Sequence, residues 1–182
     1  MIPIITPYPA RRSRRLRRTD WIRSMVVENK IAVSDLIWPL FVCAGSNKKE
    51  PIKSLPGLFR YSVDLITDIA KEAVDLGIPC IALFPQTPNN LKTLECSEAW
   101  NPNNLVNRAT RAIKRVVPEL GIILDVALDP YNSSGHDGLT RGSEILNDET
   151  LIALEKQALV QATSGADILG PSDMMDGRVH KI

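Results

Sequence analysis

Three aspartates lie close together in the chain. Asp125 and Asp129 stand in Asp125-Val126-Ala127-Leu128-Asp129-Pro130-Tyr131, and Asp137 follows in Gly135-His136-Asp137-Gly138. Ile122 to Asp129 has the apolar character of a buried strand. Its period of two puts Asp125, Ala127 and Asp129 on one face and Val126 and Leu128 on the other. Gly135 and Gly138 let the following loop bring Asp137 back. Carboxylates that converge on one cavity can bind a hard cation, orient an amine or share a proton. Aspartates also cap loops, and Asp129 before Pro130 is a common turn residue. Asp125 fits that reading less well, because a carboxylate inside an apolar strand is costly without a partner. His136 can relay a proton or simply face solvent.

A second group lies in Gly170-Pro171-Ser172-Asp173-Met174-Met175-Asp176-Gly177-Arg178. Ser172 and Asp173 come directly after a short apolar strand. Asp176 and Arg178 can pair with each other or with a charged ligand. Met174 and Met175 read as packing. Cys43, Cys80 and Cys96 are odd in number and widely spaced, which fits neither a disulfide framework nor a zinc ligand set. Cys43 and Cys80 fall in apolar runs and read as small buried hydrophobes.

The elements that must position these residues alternate. A strand is expected over Leu36–Cys43, with Pro39 at its start or at a bulge. Ser62 caps a helix over 63–76, with Val63, Ile66, Ala70 and Ala73 on one face. A strand follows over Ile78–Phe84, then a helix over 103–117, then the strand Ile122–Asp129. Asn147 is placed to cap a helix whose buried face is Leu151, Leu154, Ala158 and Ala162, and Ala166–Gly170 is a last short strand. Gly77, Gly121 and Gly165 mark the helix-to-strand turns at intervals of 44 residues. Strands that alternate with helices make a parallel α/β sheet, either half of a barrel or a small doubly wound sheet. In such folds the functional residues sit where strands feed the following loops.

With 182 residues the chain supports one sizeable core but is short for a complete barrel of roughly 250 residues. The sequence around Asp176–Ile182 reads as the opening of another loop and helix, so the fold is expected to be cut off within the barrel. Residues 1–20 read as a basic arm. Arg11, Arg12, Arg14, Arg15, Arg17 and Arg18 precede the first acid, Asp20, and Pro3, Pro7 and Pro9 oppose helix there. Residues 21–182 form the barrel portion. A net charge of +1 argues for no polyanionic partner, and no apolar stretch approaches the roughly 20 residues of a membrane span.

The two aspartate segments resemble signatures of the delta-aminolevulinic acid dehydratase (porphobilinogen synthase) family. Asp125–Tyr131 with Gly135–Gly138 resembles the metal loop, and Pro171–Arg178 is similar to a second signature. Agreement extends to Arg14–Arg18, Pro39–Val42, Ala82–Pro85, Ser97–Pro102 and Asn147–Thr150, so the resemblance runs from about residue 11 to residue 182. It implies a (β/α)8 TIM barrel of which the arm and about the first four strands are present. It implies a hydro-lyase that condenses two 5-aminolevulinate molecules to porphobilinogen with loss of water, in tetrapyrrole and heme biosynthesis. The arm then embraces a neighbouring subunit of a homo-oligomer, usually an octamer, with Arg14, Arg15, Arg17 and Arg18 at the interface.

Zinc-dependent members carry three cysteines where this chain has Ala127, Asp129 and Asp137. The resemblance therefore implies the magnesium type, sometimes with a monovalent cation, and no active-site zinc. Carboxylates suit hard cations as thiolates suit zinc. By resemblance Asp125 and the Asp129/Asp137 pair sit against the substrate amine and the metal or water, and Ser172 and Asp173 sit beside the Schiff-base region. The two Schiff-base lysines belong to later strands, and none of the lysines here is expected at an inward-facing strand end. The chain alone is accordingly expected to be inactive. The implied location is the cytoplasm, or a plastid in a photosynthetic eukaryote. Three other readings compete: a different imine-forming barrel lyase or aldolase, a non-enzymatic module that kept the half barrel, and a nucleic-acid-binding arm.

Overall fold

The computed structural model describes residues 6–182. They fall into two units, one reaching Ala32 and the other spanning Val33–Ile182. In the first, a 3-10 turn over Ser13–Arg17 is followed by helix α1, Asp20–Val26. Neither buries a residue. Trp21, Met25 and Val26 are all exposed within the chain. Arg23 pairs with Asp20 and donates to the Arg17 carbonyl at 3.0 Å, so polar contacts order this short helix.

The second unit alternates strand and helix. Its elements are β1 (Ile37–Cys43), β2 (Lys49–Pro51), β3 (Phe59–Tyr61), α2 (Val63–Asp75), β4 (Cys80–Gln86) and α3 (Leu105–Val116). They continue as β5 (Gly121–Asp125), β6 (Thr140–Arg141), β7 (Glu144–Ile145), α4 (Asn147–Thr163), β8 (Ile168–Gly170) and α5 (Arg178–Lys181). One six-stranded sheet has the order β2-β3-β1-β4-β5-β8. All neighbours are parallel except β2 and β3. β6 and β7 form a separate antiparallel pair. With helices between its parallel strands, this is the (β/α)8 barrel architecture carried through β1, β4, β5 and β8.

Alternation in the strands divides two environments. Leu40 and Val42 of β1, Ile81 and Leu83 of β4, and Ile122 and Leu124 of β5 turn toward the helices. There they meet Ile66, Ala70 and Ala73 of α2 and Val106, Ala109 and Ile113 of α3, all nearly unexposed. Such burial contributes on the order of 25 cal/mol per Å² of apolar surface. The opposite face carries Phe41 and Phe84, which are in register, with ring centroids 5.8 Å apart. A second core lies beneath α4, where Leu154 and Ala158 pack with Val126, Leu128, Tyr131, Cys96 and Met175.

Some local expectations change. The strand expected to Asp129 ends at Asp125, because its neighbour β8 ends at Gly170 and Pro171 has no N–H to continue the ladder. Val126 N–H to the Gly170 carbonyl, at 3.0 Å, is the final bond between them. At three residues each, β2 and β3 are too short to carry a usable periodicity and read as loop in the sequence. Asn147 is not a cap: Leu146 holds that position without a side-chain bond. Ala162 is exposed, and the buried face of α4 runs instead through Ala153, Leu154, Gln157, Ala158 and Gln161. Among the cysteines Cys43 and Cys96 are buried, Cys80 is half-buried, and all three are free.

Candidate functional site

The site lies where β5 and β8 hand over to their loops. Gly121, Ile123 and Asp125 alternate onto the concave face of the sheet while Ile122 and Leu124 enter the helix-side core. Asp125, the last residue of β5, therefore points its carboxylate into the barrel mouth. A cleft of about 400 Å³ opens there, lined by Phe41, Arg60, Phe84, Lys92, Asp125 and Asp129 among others. Asp129 reaches it from the turn after the strand rather than by strand alternation.

β8 brings the second segment alongside. Asp125 is in register with Gly170, so Ser172 stands next to it and its hydroxyl donates to Asp125 Oδ1. Asp173 is buried. Its Oδ1 accepts the Met175 N–H at 2.7 Å, and its Oδ2 lies 3.5 Å from Arg178 Nε, an ion pair without hydrogen-bond geometry. Arg178 also donates to the Met175 carbonyl at 2.9 Å. Asp176 and Arg178 do not pair with each other: Arg178 turns to Asp173. Asp176 instead exchanges main-chain bonds with the Asn147 amide, at 2.9 Å and 3.2 Å. Met175 is buried as packing, whereas Met174 is exposed.

The loop that returns Asp137 is tied to itself. Asn132 donates to the Gly138 carbonyl at 3.1 Å and accepts from Ser134 N–H at 2.8 Å. His136 Nδ1 accepts the Gly138 N–H at 3.0 Å, so that ring nitrogen serves the turn. Gly138 closely approaches neighbouring side chains, so a larger residue there would make them shift. A Cβ there would lie 2.8 Å from Met175 Cε and 3.3 Å from both Ile145 Cγ2 and Thr150 Oγ1.

Electrostatics join four carboxylates. Burial pushes Asp125 above the usual carboxylate range; the Ser172 hydroxyl pulls it back, and the charges of Asp137 and Asp173 push it further up. Burial raises Asp129 too, with Asp137 and Asp125 adding to it and Lys92 opposing. Asp173 is raised by burial despite the Met175 N–H and Arg178, and Asp137 again contributes upward. Asp137 thus faces Asp125, Asp129 and Asp173 with like charge. Of the side chains singled out in the sequence, Asp125 and Asp129 share the cleft and Ser172 bonds Asp125, while Asp137 and Asp173 act on Asp125 through their charge.

Such a cluster favours an incoming cation, which relieves both desolvation and mutual repulsion. Among the described residues no three His, Cys, Asp or Glu side chains are arranged to hold a metal ion. The donors present are carboxylates without thiolates, the chemistry of a hard cation.

Sequence reasoning missed Lys92 and Arg60 in the cleft, since a lone basic residue in a loop carries no positional signal. It also missed Gln157 and Gln161. Their signal was present, as two amides four apart on a face otherwise made of Leu154 and Ala158.

The chain matches the delta-aminolevulinic acid dehydratase family over residues 10–182. Delta-aminolevulinic acid dehydratase of Bradyrhizobium diazoefficiens is 57% identical over 171 residues, covering 94% of this chain and 48% of that protein. The Rhodobacter capsulatus enzyme of the same name is 48% identical over 182 residues, covering 100% of this chain and 55% of that one. The crystal structure of delta-aminolevulinic acid dehydratase (porphobilinogen synthase) from Toxoplasma gondii ME49, in complex with the reaction product porphobilinogen, aligns with TM-score 0.86 and 43% identity. That alignment covers 93% of this chain and 48% of the solved one. The chain spans about half the length of the relatives it matches. Across almost all of its own length the chain belongs to the delta-aminolevulinic acid dehydratase family.

Proposed function

We propose that this chain supplies the aspartate side of a porphobilinogen synthase, a hydro-lyase that condenses two 5-aminolevulinate molecules to porphobilinogen with loss of water. The observation that carries the reading is the meeting of Asp125, Ser172 and Asp173 at the ends of β5 and β8, in a chain of this family. Asp125 and Asp129 line the cleft together and would receive the substrate ammonium. Neutralising them there offsets the cost of burying their charge. The Ser172 hydroxyl fixes the Asp125 carboxylate. Asp173, held by the Met175 N–H, supplies negative charge beside a cationic imine, which a carboxylate stabilises.

Asp129 and Asp137 would hold magnesium, with a monovalent cation as companion and without active-site zinc. When bound, the ion supplies positive charge that polarises a substrate oxygen. Schiff-base formation needs a neutral amine in a dry or cationic pocket. No lysine of this chain is proposed for it, although Lys92 lies in the cleft. The 182 residues alone are proposed to be inactive. Arg14, Arg15, Arg17 and Arg18, all exposed, are proposed to contact a neighbouring subunit of a homo-oligomer, an octamer by family. The proposed location is the cytoplasm, or a plastid; relatives named as chloroplastic include that of Chlamydomonas reinhardtii at 45% identity. Among the described residues no helix is long and apolar enough to cross a membrane.

The test is to incubate the protein from its natural source with 5-aminolevulinate, assay porphobilinogen, reduce with borohydride and measure the intact mass. Porphobilinogen and a reduced substrate adduct on a polypeptide containing these residues are expected. A 20.1 kDa species that forms porphobilinogen would overturn the inactivity of the isolated chain, and no product in any form would overturn the activity itself.

A further inference from the structure

The aspartate cluster hangs on backbone whose hydrogen bonds must be found outside the sheet. β8 stops at Gly170, and Pro171 has no N–H to offer. The carbonyls of Asp125 and Ala127 are instead met from behind by α4. Gln161 Nε2 donates to the Asp125 carbonyl at 2.8 Å, and Gln157 Nε2 donates to the Ala127 carbonyl at 3.0 Å. Both side chains are sealed from solvent, with exposures of 1% and 0%. Their Oε1 atoms are buried without a partner. Turning either amide over would set oxygen against a carbonyl, so the orientation is fixed by chemistry.

That arrangement is expensive for a helix that only has to pack. A buried amide with half its hydrogen-bonding capacity unused carries a desolvation cost that Leu or Met at the same place would not. What the two glutamines add is a pair of donors aimed at the main chain between Asp125 and Asp129. The same stripe of α4 reaches the other site loops. Thr150 Oγ1 accepts the Leu139 N–H at 2.9 Å, and Asn147 brackets Asp176. Positions 147, 150, 157 and 161 follow helical spacing, so one rigid element takes hold of both loops.

We propose that Gln157 and Gln161 are positioning residues: by clamping the Asp125 and Ala127 carbonyls they aim Asp125 and Asp129 into the cleft. Their effect on turnover rests on the function proposed above. The clamp itself does not.

The test uses the active, full-length form of the protein. Gln157→Met, Gln161→Met and the double variant keep the shape and remove the donors. Ile66→Val in α2, remote from the site, serves as a destabilised control. Steady-state kinetics and amide hydrogen exchange are read for each. The double variant is expected to lose at least tenfold in kcat, with KM for 5-aminolevulinate moving less than threefold. The Tyr131 and Asn132 amides are expected to exchange at least tenfold faster, with those of Ala109 and Ile113 unchanged. Ile66→Val is expected to keep kcat within twofold. If the double variant does not fold, the single variants are read against the same thresholds. Unchanged kcat, a loss confined to KM, a kcat loss without faster loop exchange, or an equal loss in Ile66→Val would overturn the proposal. If the wild type makes no porphobilinogen, the functional reading fails and exchange alone decides: acceleration at Tyr131 and Asn132 sustains the clamp, and its absence overturns it.

Discussion

At the scale of single residues, Asp125 has two jobs that pull in opposite directions. Its carboxylate is desolvated and faces like charges, so ionising it costs folding stability. Its folded pKa is raised above the unfolded value. The stabilisation is therefore complete below the ordinary carboxylate pKa and is lost as pH rises through the raised value. Asp125→Asn removes this dependence. The variant's Tm relative to wild type is expected to be higher at pH 7 than at pH 3, as read by calorimetry. In the full-length protein, on the function proposed above, porphobilinogen formation is expected to fall on the order of 10²-fold in the same variant, the scale for removing one preorganised electrostatic partner. Ser172→Ala should act through Asp125. Without the hydroxyl that lowers it, the carboxyl rises further, and activity measured across pH should lose its acidic side first.

At the scale of elements, β8 is only three residues long and is secured by what surrounds it. Asp167, just before it, accepts the Ile122 N–H at 2.8 Å and pairs with Lys114 of α3 at 2.6 Å. Burial tends to raise its pKa, but the Lys114 and Ile122 bonds prevail and hold it below the usual range. With a depressed folded pKa, its contribution is present above the unfolded value and is lost as pH falls through the folded one. Asp167→Ala is expected to cost about 1 kcal/mol at pH 7, since the pair is partly exposed, and less near pH 3, below the ordinary carboxylate value. Denaturant titrations at the two values check this. Most elements were legible because burial imposes a period: Ile66, Ala70 and Ala73 mark α2, and the apolar run that begins at Ile122 marks β5. The true end of β5 was not legible. It depends on where a strand more than forty residues later meets Pro171, and no local pattern encodes a partner's length. The aspartates were legible as chemistry because they interrupt apolar surroundings. Lys92 was not, because only the folded loop after β4 places it in the cleft.

At the scale of the whole molecule, seven exposed arginines lie in the unit that ends at Ala32, and the cleft belongs to the unit that begins at Val33. Replacing Arg14, Arg15, Arg17 and Arg18 by Ala is expected to lower the subunit number of the full-length protein in analytical ultracentrifugation while leaving its circular dichroism intact. Unaltered assembly would return the arm to its competing readings, of which nucleic-acid binding is identified by steep loss of affinity with salt. One buried thiol makes the integrity of the site directly readable. Cys96 is fully covered in the second core, against the segment that carries Val126, Leu128 and Tyr131, and burial pushes its thiol up to about 11. A thiol reagent can reach it only after that core parts. The rate at which Cys96 is alkylated is thus a clock for how often the floor under the aspartates lifts.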